Sequence, residues 1–137
     1  MALTHLVDSS VLTRLRQPTI REAIEPLAGR GELARAGISD LEVGYSARSA
    51  VEWDRLADAL RAFELVETNS EHLRRARQVQ RMLASKHQRG RKVPDLLIAA
   101  AAEARGLTVL HYDADFDQIA DVTGQSCQWI VPAGSVD

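Results

Sequence analysis

Apolar positions along this chain follow two periods, and the alternation between them predicts repeated strand-then-helix units. Leu3-Thr4-His5-Leu6-Val7 reads as a short buried strand, and Asp8-Ser9-Ser10 supplies capping side chains ahead of Val11, Leu12 and Leu15. Pro18 ends that helix and suits the first turn of the next, which runs toward Gly29 and Gly31. Leu33 to Ile38 predicts a second strand. Ser39-Asp40-Leu41-Glu42 starts another helix, and Trp53, Leu56, Ala57 and Leu60 give the spacing of a strongly amphipathic one ending near Phe63. Leu65-Val66 is a weak third strand.

Asn69 and Ser70 cap a long polar helix with Leu73, Ala76 and Leu83 on its buried side, Arg74, Arg77 and Arg81 on the opposite one, and Gly90 breaking it. Pro94 sits where a helix takes its first residue, and Leu96 to Ala104, almost wholly apolar with four consecutive alanines, predicts a helix packed closely on a sheet. Gly106 stops it and Leu107 to Leu110 is the best strand of the chain. A short helix around Phe116 to Ala120 precedes a last strand, Cys127 to Val131. This order implies an α/β domain with a mostly parallel central sheet, flanked by helices and joined by right-handed crossovers.

At 137 residues, with no repeat, low-complexity tract or linker, the whole chain, 1–137, reads as one domain. Apolar residues at 45% and charged ones at 26% suffice for a layered core. Cys127 is the single cysteine, which excludes an intrachain disulfide and a zinc cluster, suits a reducing cytoplasm, and on a predicted core strand reads as packing. No apolar run reaches the roughly 20 residues of a membrane span, and no basic leader precedes the first strand, so the expectation is a soluble, unprocessed chain without membrane contact. A formal net charge of −2 argues against a surface that binds polyanions everywhere; any nucleic-acid contact must be local.

The chemistry lies in the acids. In open parallel sheets ligands bind beyond the carboxyl ends of the strands. Asp8 follows the first strand, Asp113 follows the Leu107–Leu110 strand, and Glu42 and Asp95 lie in the first turns of two helices, so all four fall at that edge. Each has a plain structural use: Asp8 as an N-cap, Ser39-x-x-Glu42 as a capping box, Asp95 as a partner of the helix dipole, Asp113 as a turn residue. Four unrelated uses have no reason to converge, whereas clustered carboxylates demand a divalent cation, and a hard ion such as Mg²⁺ or Mn²⁺ answers that.

Leu6-Val7-Asp8-Ser9-Ser10, Ile38-Ser39-Asp40-Leu41-Glu42-Val43-Gly44, Val93-Pro94-Asp95-Leu96-Leu97-Ile98-Ala99 and Leu110-His111-Tyr112-Asp113-Ala114-Asp115-Phe116-Asp117 together resemble the PIN-domain nucleases, and within them the VapC-type toxins of bacterial toxin–antitoxin pairs. The resemblance covers essentially the whole chain. It implies a homodimeric, Mg²⁺- or Mn²⁺-dependent endoribonuclease that cuts structured RNA such as tRNA or rRNA and is inhibited by a cognate VapB-type antitoxin protein. By position, the catalytic acids become Asp8, Glu42, Asp95 and Asp113, with Asp115 an auxiliary metal ligand beside Asp8, Asp95 and Asp113. Many members carry Thr or Ser two residues before the last acid; here that place is His111. Ser9 remains as a polar neighbour of the metal on the substrate side.

Hydrolysis of a phosphodiester by metal-activated water needs no nucleophilic side chain, in keeping with the absence of a Ser/His/Asp pattern. Phosphates are held by Arg and Lys. Lys86-His87-Gln88-Arg89-Gly90-Arg91-Lys92 is a basic loop ending just before Asp95, which makes Arg89, Arg91 and Lys92 the candidates; the Arg74/Arg77/Arg81 stripe reads as a solvated helix face. A Mg-dependent phosphatase or receiver-like phosphotransfer domain also places acids at this edge. A dehalogenase-type phosphatase, however, needs an Asp-x-Asp pair after its first strand, where this chain has Asp8-Ser9-Ser10. A non-catalytic interaction module would require all four acids to be structural.

Overall fold

The computed structural model describes residues 2–88 and 92–137. Five parallel strands, β1 (His5–Val7), β2 (Leu33–Ala36), β3 (Glu64–Val66), β4 (Thr108–His111) and β5 (Cys127–Trp129), form one sheet in the order β3-β2-β1-β4-β5. β1 is central and short, and its alternation sends Leu6 to one face and Val7 to the other. Ala34 and Val109 join Leu6, under the helices α5 (Ser70–Ser85), α6 (Val93–Ala104) and α7 (Asp115–Thr123). Leu33 and Leu110 join Val7, against residues of α1 (Ser9–Leu12), α2 (Pro18–Gly29), α3 (Gly37–Gly44) and α4 (Ala50–Leu60). The three central strands are buried on both faces, as parallel strands are, while the edge strands β3 and β5 are partly exposed.

α6 is the inner helix: Asp95 to Ala102 are all buried, and the small alanines let it sit close to the sheet. It ends in a Schellman turn. Gly106 takes φ +66, its amide donates to the Glu103 carbonyl at 3.2 Å, and the Leu107 amide donates back to Ala102 at 2.9 Å. Leu107 therefore belongs to the helix end, and β4 starts at Thr108, one residue later than the pattern predicts.

Other boundaries differ for equally local reasons. β2 stops at Ala36 and α3 begins at Gly37, so Ile38 is helical rather than the end of a strand. α1 is a single turn ending at Leu12, with the Thr13 hydroxyl donating to the Ser9 carbonyl at 2.9 Å. β5 stops at Trp129, short of Val131, and lies at the sheet edge, where Cys127 is half-buried against the α5–α7 side. On α5 the buried position assigned to Leu73 is taken by His72; Leu73 is exposed. Asn69 Oδ1 accepts from the His72 amide at 3.0 Å while His72 Nδ1 accepts from the Asn69 amide at 3.3 Å. That reciprocal cap fixes the helix phase.

Candidate active site

β1 delivers Asp8 directly to the start of α1, where its Oδ2 accepts from the Ser10 amide at 2.9 Å. The capping reading is thus correct for one oxygen. The other, Oδ1, is buried and has no hydrogen-bond partner. Asp95 enters from the first turn of α6, and its Oδ2 is likewise buried and unpartnered. Two solvent-shielded carboxylate oxygens left without a donor are costly unless something charged or protonated meets them.

Asp113 lies two residues beyond β4, with Oδ1 accepting from the Asp115 amide at 2.9 Å and Oδ2 from Lys92 Nζ at 3.1 Å. One carboxylate oxygen from each of Asp95, Asp113 and Asp115 lies within 4.8 Å of the other two. A hard divalent cation takes oxygen ligands from such a set, so the residues fit the metal that the sequence suggests.

Glu42 reaches the same cavity from α3, held by the Ser9 hydroxyl, which donates to its Oε1 at 2.6 Å. The Ser39-x-x-Glu42 capping box does not form, because α3 already starts at Gly37 and Ser39 lies inside the helix. The wholly buried Ser39 hydroxyl instead stands 3.1 Å from that of Ser9. Ser9 therefore ties the strand that carries Asp8 to the helix that carries Glu42.

Burial first, and mutual charge after it, disfavour ionisation of these acids. Burial, then the charges of Asp8 and Asp113, push Asp95 up to about 8, with Lys92 opposing. Burial also raises Asp8, against its hydrogen bonds to Ser10 and with Glu42 adding to the rise. A cluster that retains a proton in this way is one that a divalent cation would discharge.

His111 stands where the resemblance places Thr or Ser. It is completely buried, its ring tilted against those of Phe116 and Trp129 at 5.0 Å from each, and its Nδ1 accepts from the Asp113 amide at 3.2 Å. Burial lowers its pKa to about 4, so the ring is neutral with its proton on Nε2. It holds the amide of Asp113 and does not line the cavity. The Cys127 thiol, pushed up to about 12 by burial, is inert.

These groups line an open cavity of about 670 Å³ that includes Asp8, Ser9, Glu42, Lys92, Asp95 and Asp113. Lys92 is exposed at its rim and pairs with Asp113; Arg89 and Arg91 lie outside the described residues. Arg74, Arg77 and Arg81 are exposed on α5, as expected of a solvated face. Among the lining residues that the sequence does not single out are Arg14, Tyr112 and Trp129. Tyr112 and Trp129 stand at the carboxyl ends of β4 and β5, so the rule that found the acids also marks their positions.

Comparison with known proteins gives a consistent picture. The PIN domain model matches residues 5–122. Ribonuclease VapC51 of Mycobacterium tuberculosis is 64% identical over 137 residues, covering 100% of both chains. Ribonuclease VapC21 of the same species is 44% identical, covering 98% of this chain and 99% of its own. Among solved structures, the DNA-bound VapBC of Salmonella typhimurium superposes with a TM-score of 0.75 at 18% identity, over 94% of this chain and 99% of that one. VapBC-5 of Mycobacterium tuberculosis does so with a TM-score of 0.67 at 23% identity, over 96% and 98%.

Proposed function

Since the chain belongs to the PIN-domain family, among its VapC ribonucleases, we propose that it is an endoribonuclease toxin hydrolysing phosphodiester bonds of structured RNA, tRNA or rRNA, at the acid-lined cavity. The observation that carries this reading is the cluster itself: oxygens of Asp95, Asp113 and Asp115 within 4.8 Å of one another, beside buried oxygens of Asp8 and Asp95 that have no donor. Asp8, Asp95, Asp113 and Asp115 would hold Mg²⁺ or Mn²⁺. When bound, such an ion acidifies water, polarises the phosphoryl group and stabilises the leaving oxygen.

The remaining work belongs to the chain. Glu42, fixed by Ser9, presents an acceptor to the cavity and can orient water or take its proton. Lys92, exposed at the cavity rim beside Asp113, can offer its ammonium to a phosphate of the RNA. His111, by holding the Asp113 amide, keeps that carboxylate pointed at the cluster.

A VapB-type antitoxin and a second copy of the chain are the proposed protein partners. The VapBC complexes that share the fold support the first. For the second, Leu41, Tyr45, Val51 and Trp53 leave apolar surface exposed on and between α3 and α4. No helix among the described residues is long and apolar enough to cross a membrane, and the proposed location is the cytoplasm. The test is incubation of purified protein with total RNA in Mg²⁺, in Mn²⁺ and in chelator. Discrete cleavage in metal alone, lost in Asp8→Asn, Asp95→Asn and Asp113→Asn, is expected. Cleavage that survives chelation or persists in all three variants would overturn the reading.

A further inference from the structure

Of the cavity residues with no part in the chemistry proposed above, Arg14, Tyr112 and Trp129 form a wall of a different character. Trp129 pairs with His111 across β4 and β5, so it stands at the same sheet edge as the acids. Its indole Nε1 donates to Asp117 Oδ1 at 3.1 Å, and its ring meets Tyr112 edge-on at 5.5 Å and 88°. Tyr112 is anchored in turn: its amide donates to the Ser10 hydroxyl at 2.8 Å and its phenol donates to the Val136 carbonyl at 2.7 Å. Arg14 lies over the Tyr112 ring at 5.2 Å, its Nη1 and Nε donating to the main-chain oxygens of Ser10 at 2.7 Å and Asp137 at 2.8 Å. Three large planar groups are thus held still, all lining the cavity that contains the acids, and Trp129 is half-buried rather than packed away.

We infer that this wall of Arg14, Tyr112 and Trp129 is a stacking subsite for an unpaired nucleobase next to the phosphodiester that is cut. The inference rests on the ribonuclease reading and adds what that reading lacks, a means of holding the base. Tyr112 and Trp129 line the same cavity as Lys92 and the acids, so a nucleotide whose phosphate meets the Lys92 ammonium has its base within reach of the wall. Proteins take single-stranded RNA by stacking splayed bases on aromatic rings and guanidinium planes. The cavity, at about 670 Å³, falls within the roughly 300–1,000 Å³ of small-ligand sites. The Arg14 charge disfavours a cationic peptide side chain in the same place and favours an electron-rich base attached to phosphate.

The chain has two tryptophans, so Trp53→Phe leaves Trp129 as the sole indole reporter. In that background, carrying Asp95→Asn to prevent cleavage, a short mixed-sequence single-stranded RNA should quench the fluorescence of Trp129 saturably, and the same strand without bases should not. In the otherwise native chain, Trp129→Ala should raise KM for RNA about tenfold or more while kcat changes less than about threefold, and Trp129→Phe should restore most of the loss. RNA cleaved by the wild type with no quenching and an unchanged KM in Trp129→Ala would overturn this inference alone. A wild-type chain that neither binds nor cleaves RNA would overturn it together with the ribonuclease reading.

Discussion

Lys92 Nζ lies 3.1 Å from Asp113 Oδ2, so that in this cluster of acids an ammonium from the N-cap of α6 meets the carboxylate that follows β4. The contact raises the Lys92 pKa, first through the hydrogen bond to Asp113. Lys92 is largely exposed, so its pairing contributes little to stability in water. Its value lies in an exposed ammonium at the cavity rim, placed to meet a phosphate.

Lys92→Gln is accordingly expected to leave the melting temperature nearly unchanged while weakening RNA binding at every sequence. The slope of log affinity against log salt should fall by about one phosphate contact. Binding measured across a salt series checks this. An unaltered slope would show that Lys92 does not reach the RNA backbone.

Ser9→Ala removes the hydroxyl that holds Glu42 at 2.6 Å and leaves the buried Ser39 hydroxyl without its neighbour. A loss of about 1 kcal/mol in stability is expected, with a fall in kcat of roughly tenfold as Glu42 loses its fixed direction. Ser9→Thr, which keeps the hydroxyl, should recover part of both. Denaturant unfolding and single-turnover cleavage separate the two effects; an alanine variant with full kcat would show that Glu42 needs no such support.

Stability without metal should depend on pH through Asp95, which titrates near 8 when folded against an ordinary 3.8. Between those values the folded chain keeps a proton that the unfolded chain has released, so unfolding loses a proton and stability falls as pH rises. Below 3.8 the carboxyl is protonated in both states, and above about 8 it is ionised in both, with the penalty complete. Unfolding midpoints in chelator should therefore decline across this window, and Asp95→Asn should flatten the decline. Parallel curves for the two proteins would remove Asp95 as the cause.

The acids were legible in the sequence because their positions follow from local rules. Asp8 and Asp113 come just after apolar runs and Asp95 just after a proline at a helix start, and one topological rule puts all of them at one edge. The start of α3 was not legible: Ser39 carries a good capping signal, but packing against Ser9 of α1, thirty positions away, places it inside the helix instead. Leu73 was misplaced because His72, a polar residue, fills the buried position through its cap with Asn69, and a hydrophobic pattern does not mark a satisfied polar group. Arg14, Tyr112 and Trp129 went unmarked for another reason. Tyr112 and Trp129 stand at strand ends but carry no charge to single them out, and Arg14 joins them only through tertiary contacts, over the Tyr112 ring and to Asp137.

If these acids are gathered to hold a divalent cation, one measurement carries opposite signs: thermal melting of wild type and Asp95→Asn, each in chelator and in excess Mn²⁺. In chelator the wild type carries an unpartnered buried carboxyl oxygen on Asp95 beside Asp8 and Asp113, so the asparagine variant should melt higher at neutral pH. In Mn²⁺ the wild type should gain stability by mass action, about 2.7 kcal/mol at one hundred times the dissociation constant, and the variant far less. A variant that melts below wild type in chelator, together with a wild type whose melting temperature does not move with metal, would contradict the account.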